Sequence, residues 1–168
     1  MNREQTFDAA VGPAFAILPR QMDTPEARVV LMTIALQESR LEYRTQLGSG
    51  PARGLWQCEQ GTPASRGGVW GVYLHDASRY WLSVLCDKRG LGFDPTVIYA
   101  NLKSDDILAA GVARLLLFTD PYRLPVIGDV EGAWRLYAER TWRPGKPRRE
   151  TWDALYQVAV NHVQGVLA

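Results

Sequence analysis

The segment DTPEARVVLMTIALQES, residues 23–39, decides how the chain folds. Thr24 is a strong N-cap, Pro25 suits a first helical turn, and Glu26 is favourable at the positive end of a helix dipole. From there Ala27, Val30, Leu31, Ile34 and Ala35 recur at helical spacing, which predicts a helix with a buried face. Glu38 continues that series beyond Ile34 and Ala35, so it is expected to point inward. An ionised carboxylate on a buried face is costly. Either Arg40 or Arg44 pairs with it, or it serves as a functional acid. In the second case, desolvation and the negative end of the helix both raise its pKa, which suits a group that protonates a leaving oxygen.

Outward from this helix, residues 44–54 turn polar and glycine-rich (Gly48, Ser49, Gly50, Pro51) and read as a loop. The stretch from Gly54 to Gly71 reads as irregular, with short strands or turns. A helix is predicted from about Ser78 to Lys88, with Tyr80, Trp81, Val84 and Leu85 on its apolar side. The clearest later signal is SDDILAAGVARLLLF, residues 104–118, where Ser104 is the expected cap and Ile107, Leu108, Gly111 and Leu115 form a buried stripe. Gly111 weakens a helix interior, so it marks a close helix crossing. Two more helices are expected, from Glu131 to about Thr141 and from about Glu150 to Val166, separated by the loop WRPGKPRR. The class is mainly α, in a single domain over 1–168: an N-terminal segment 1–22, a central region 24–140 and a C-terminal helix 150–166.

Composition narrows the function classes. With 46% hydrophobic and 22% charged residues, the 168-residue chain reads as an ordinary globular protein. Net charge is +1, which gives no global basic field for nucleic acid. Residues 11–18 are apolar but carry Gly12 and Pro13, so they read as neither signal peptide nor membrane helix. That predicts synthesis in a cytoplasm and no membrane insertion. Cys58 and Cys86 match no metal-ligand spacing and read as free thiols, while His75 and His162 stand far apart, so neither metal nor cofactor is expected. Six tryptophans are many for this length. Trp81 and Trp152 fit helical core stripes, whereas Trp56 and Trp70 are the candidates for stacking on a ligand. The cluster Arg143, Lys146, Arg148 and Arg149 reads as a solvated face, or as a surface for anionic carboxylates or a protein partner.

Glu38-Ser39, then a loop, then Gly54-Leu55-Trp56-Gln57, resembles the "ES … GLMQ" signature of lytic transglycosylases of the soluble lytic, goose-type lysozyme-like kind. Residues 106–115 resemble the family's "NI…G…YL" helix, and Ala133-Trp134-Arg135-Leu136-Tyr137 falls where the family has "A-x-YN-x-G". The order of blocks agrees from about residue 24 to 140, and the whole is similar to small phage-encoded members. Trp56 stands where the family has methionine, Cys58-Glu59 replaces its "I-M/T-P", and Tyr137 is followed by Ala138 rather than asparagine.

The resemblance implies a lysozyme-like, lytic transglycosylase-type helical domain with a short irregular or β-containing segment. It also implies cleavage of peptidoglycan between N-acetylmuramic acid and N-acetylglucosamine. Glu38 would be the general acid and then the base that takes the muramic 6-hydroxyl proton, forming a 1,6-anhydro end. Ser39, Gly54, Leu55, Trp56, Gln57, Glu59 and Tyr137 would bind or frame the glycan. Gly54 would let backbone approach the cleft, and Gln57 would meet an acetamido group or Glu38. Ser39 would orient a site partner or bond to backbone at the helix end, and Gln57 alternatively holds its loop by backbone bonds. Glu59, or Asp76 further on, is the candidate second carboxylate of a hydrolysing muramidase. A third alternative is a virion structural or wall-binding protein without activity. Partners are then the glycan strand and phage virion proteins, reached through a membrane lesion at lysis or from the particle at infection.

Overall fold

The computed structural model describes residues 1–46 and 48–165. Helices make up 61% of the chain, and among the described residues there are eight α-helices and no strand, so the class is mainly α. In chain order they are α1 (Arg3–Ile17), α2 (Pro25–Ser39), α3 (Gly68–Leu74), α4 (Asp76–Arg89), α5 (Pro95–Asn101), α6 (Asp106–Phe118), α7 (Val130–Arg135) and α8 (Arg149–Val163). A 3-10 turn, Arg20–Met22, links α1 to α2, and a π-helical segment, Leu136–Thr141, extends α7. Among the described residues the β content is two isolated antiparallel bridges, Thr45 with Arg53 and Arg53 with Cys58.

α2 is the central helix. Thr24 caps it by accepting from the Ala27 amide at 3.1 Å. Its burial goes beyond the expected stripe, because Val29, Met32, Thr33, Leu36 and Gln37 are buried as well. A helix enclosed on nearly all sides must be apolar nearly all round. The one buried hydroxyl within that run, Thr33 Oγ1, is satisfied by its own Val29 carbonyl at 2.7 Å. α8 packs along α2, and α1 and α4 pack on α6.

Four features differ from the sequence reading. The N-terminal segment is a full helix: Phe7, Ala10, Val11, Ala14 and Phe15 are buried at helical spacing, and Pro13 sits inside it. Pro13 costs that helix one backbone bond, which the buried stripe offsets. α3 and α5 occupy stretches read as irregular or left unassigned. Asp105, not Ser104, caps α6, accepting from the Leu108 amide at 3.0 Å. α4 buries Ser78, Leu82, Leu85 and Cys86, while Tyr80 is 62% exposed, so its inward face is rotated from the expected one. Gly111 does mark a helix crossing: a Cβ there would lie 2.5 Å from Leu85 Cδ2 of α4. The last helix begins at Arg149, and Val166 lies outside the described residues.

Candidate functional site

α2 ends abruptly just after Glu38. Arg40 and Leu41 both adopt left-handed backbone, with φ of 57° and 59°. Two such non-glycine residues in succession are strained. Ser39 holds this reversal together. Its hydroxyl donates to the Leu55 carbonyl at 2.6 Å and accepts from the Leu41 amide at 3.1 Å. Ser39 therefore touches backbone only, tying the helix end that carries Glu38 to the Gly54–Gln57 turn.

That turn is a closed loop. Arg53 and Cys58 exchange both backbone hydrogen bonds at 2.9 Å, and inside them the Gln57 amide donates to the Gly54 carbonyl. The Gln57 side chain adds a second bond to that carbonyl at 2.8 Å. Leu55 and Trp56 point into the core and are fully buried. Trp56 Nε1 donates to the Leu31 carbonyl of α2 at 2.8 Å. Trp56 is thus a wedge behind the site rather than a stacking face, and Trp70 packs edge-on against Tyr73 instead. Gly54 also differs from its expected role. With φ of +78° and a would-be Cβ 2.8 Å from the Leu102 carbonyl, it presses against the segment after α5, away from the cleft.

The turn delivers Gln57, Cys58 and Glu59 to one wall of a cleft of about 730 Å³ that also contains Glu38. The other wall comes from the chain after α7. In the π-helical segment the amides of Trp142 and Arg143 both reach the Tyr137 carbonyl, at 3.0 and 3.1 Å. This widened turn directs the Tyr137 hydroxyl onto Glu38, to which it donates at 2.5 Å (Oε1). The Tyr137 ring is buried and stacked on Trp152, with centroids 4.9 Å apart and planes at 12°. Trp142, half-buried, lines the cleft and donates from Nε1 to the Trp56 carbonyl at 2.7 Å, locking the two walls together.

The electrostatics follow from this enclosure. Burial raises the Glu38 pKa above the ordinary carboxylate value. The Tyr137 bond and the Arg148 charge pull it back, and Glu59 pushes the same way as burial. Tyr137 is held neutral by burial and by the adjacent carboxylate. Cys58, buried in the cleft wall, has its thiol pKa pushed far up by burial and then by Glu38 and Glu59, so it stays protonated. Cys86 is a second buried free thiol, raised to about 11 by burial. Neither thiol is a nucleophile at neutral pH.

The structure therefore brings together Glu38, Gln57, Glu59 and Tyr137 in or beside one cleft, with Ser39, Leu55 and Trp56 as the frame behind them. Arg44 pairs with Asp106, not with Glu38, and Asp76 is exposed in the first turn of α4. Trp142 lines the cleft without any sequence signal for that role, and Arg143 and Lys146, expected as a solvated face or a surface for carboxylates or a partner, line it as well. The Pro-Gly turn after Tyr137 was visible in the sequence, but the π geometry that folds it back is not a local pattern. Among the described residues no group of three His, Cys, Asp or Glu could hold a metal, and no helix is long and apolar enough to cross a membrane. No family model, no curated protein and no solved structure matches the chain.

Proposed function

We propose that the chain is a peptidoglycan-cleaving enzyme of lysozyme-like fold, acting on the glycan strand between N-acetylmuramic acid and N-acetylglucosamine as a lytic transglycosylase. The observation that carries this reading is the pairing of the cleft-lining Glu38 with the hydroxyl of the buried Tyr137 behind it. Burial makes Glu38 keep its proton to higher pH than a free glutamate, and one neutral hydrogen-bond donor stabilises the carboxylate formed when that proton leaves. Oε1 is engaged by Tyr137, which leaves Oε2 for the substrate. Glu38 protonates the glycosidic oxygen, the C1–O bond breaks, and the leaving sugar departs as an alcohol. The same carboxylate then takes the proton of the muramic 6-hydroxyl as its oxygen closes on C1. Glu38 returns to the acid form, and no water is consumed. Such an enzyme serves a phage at host lysis or from the virion at infection.

Glu59 favours a second reading, hydrolysis, because it gives the same cleft a second carboxylate. One experiment separates the two. Purified peptidoglycan is digested with wild type, Glu38→Gln and Glu59→Gln, and the fragments are weighed by mass spectrometry. The proposal expects anhydro ends, no release by Glu38→Gln, and turnover by Glu59→Gln within about tenfold of wild type, or about 1.4 kcal/mol in barrier. Reducing ends with an inactive Glu59→Gln would establish a muramidase. Release by Glu38→Gln at the wild-type rate would remove the central assignment. Chitooligosaccharide binding with no wild-type release would favour a wall-binding virion protein.

A further inference from the structure

The cleft carries two cations that the acid–base chemistry does not use. Arg143 and Lys146 both line it, and both are exposed at its rim, whereas Glu38 lies half-buried within. Among the described residues neither forms an ion pair. Their neighbour Arg149 contrasts with them, being engaged by Glu131 and Asp153.

The turn that carries them is anchored. The Arg143 amide bonds to the Tyr137 carbonyl at 3.1 Å, and Trp142 is fixed to the Trp56 carbonyl at 2.7 Å. Arg143 takes left-handed backbone, with φ of 48°. Its guanidinium reaches the opposite wall, with Nη2 3.2 Å from where a Cβ on Gly67 would sit. A Cβ at that position would crowd the guanidinium, which would have to shift by a few tenths of an ångström. The backbone that presents the two cations is thus the same one that sets Tyr137 on Glu38.

We infer that Arg143 and Lys146 form a carboxylate-binding subsite at the cleft rim, which selects glycan bearing free carboxylates over neutral glycan. This rests on the proposed glycan-cleaving function and names the substrate class of that site. A planar guanidinium takes a carboxylate through paired hydrogen bonds, and a lysine adds a mobile point charge. Glu59 on the cleft wall repels an anion, so the carboxylate docks on the rim cations while the neutral sugar rings occupy the cleft. In peptidoglycan the carboxylate comes from a stem peptide or from the bare lactyl group of a muramic residue.

The test is calorimetric binding to full-length Glu38→Gln protein, which binds without turnover. Three ligands are compared: chitotetraose, the peptide-free alternating tetrasaccharide, and the same tetrasaccharide with stem peptides. At low salt at least one carboxylate ligand is expected to bind about tenfold or more tightly than chitotetraose, the preference shrinking as salt screens the rim. Which ligand shows it identifies the source. Adding Arg143→Gln and Lys146→Gln together brings the affinity ratio towards one, and Lys146→Glu lowers it with unchanged melting. Equal binding of all three ligands, or a ratio that survives both changes, overturns the subsite and leaves the proposed function standing. Failure of all three to bind overturns both.

Discussion

Tyr137→Phe removes one oxygen from the site and little else. The phenyl ring can keep its stack on Trp152 at 4.9 Å and its tilted contact with Trp134 at 5.6 Å, so the core around it is retained. What is lost is the 2.5 Å bond to Glu38 Oε1. A hydrogen bond to a charged group contributes about 1.5–3 kcal/mol, and this one favours the carboxylate over the acid. In the transition state for proton donation Glu38 has gained roughly half of its charge, so roughly half of that energy, about 0.8–1.5 kcal/mol, is missing from the variant. That corresponds to about a 4- to 13-fold loss in kcat. The pH profile moves too. Removing the donor raises the Glu38 pKa further, so the alkaline limb, where the acid loses its proton, shifts to higher pH. The assays are muropeptide release against pH and carboxyl carbon NMR of Glu38 across the same range. An unchanged rate with an unmoved Glu38 titration would refute the claim that Tyr137 tunes the acid.

Other outcomes follow from the same geometry. Glu38→Gln should melt higher than wild type above the ordinary glutamate pKa of about 4.3. An acid with a raised folded pKa makes the native state bind more protons than the unfolded one, so wild type loses stability as pH rises through that window, while glutamine does not titrate. The gain should vanish below about pH 4, and each kcal/mol appears as about 2–4 °C in scanning calorimetry. A melting difference that is independent of pH would show that Glu38 is not desolvated. Gly54→Ala should act on stability rather than on the cleft. Left-handed backbone and a Cβ 2.8 Å from the Leu102 carbonyl together cost about 2–4 kcal/mol, lowering Tm by about 4–16 °C. Wild-type melting with lost glycan binding would place Gly54 in the cleft wall after all.

Local chemistry was enough to read the helix of Glu38 from the sequence, because a capping threonine, an N-terminal proline and the apolar period act within a few residues of one another. The same period placed Glu38 inward, and in the later helix over 104–118 the cost of a glycine in a helix interior made Gly111 a crossing point. α1 was equally periodic, at Phe7, Ala10, Val11, Ala14 and Phe15, but Gly12-Pro13 concealed it. A proline's local penalty is visible in the sequence, while the burial that offsets it is not. Tertiary structure alone decided the site's membership. Trp56 and Trp142 are both tryptophans beside polar turns; one is buried behind the acid and the other lines the cleft. Their difference arises from which carbonyl each indole reaches, Leu31 for one and Trp56 for the other. The contact between Tyr137 and Glu38 spans 99 residues and depends on a π turn, a backbone state with no residue signature of its own. Side-chain identity can name a candidate acid, but the partner that tunes it is chosen by packing among distant segments.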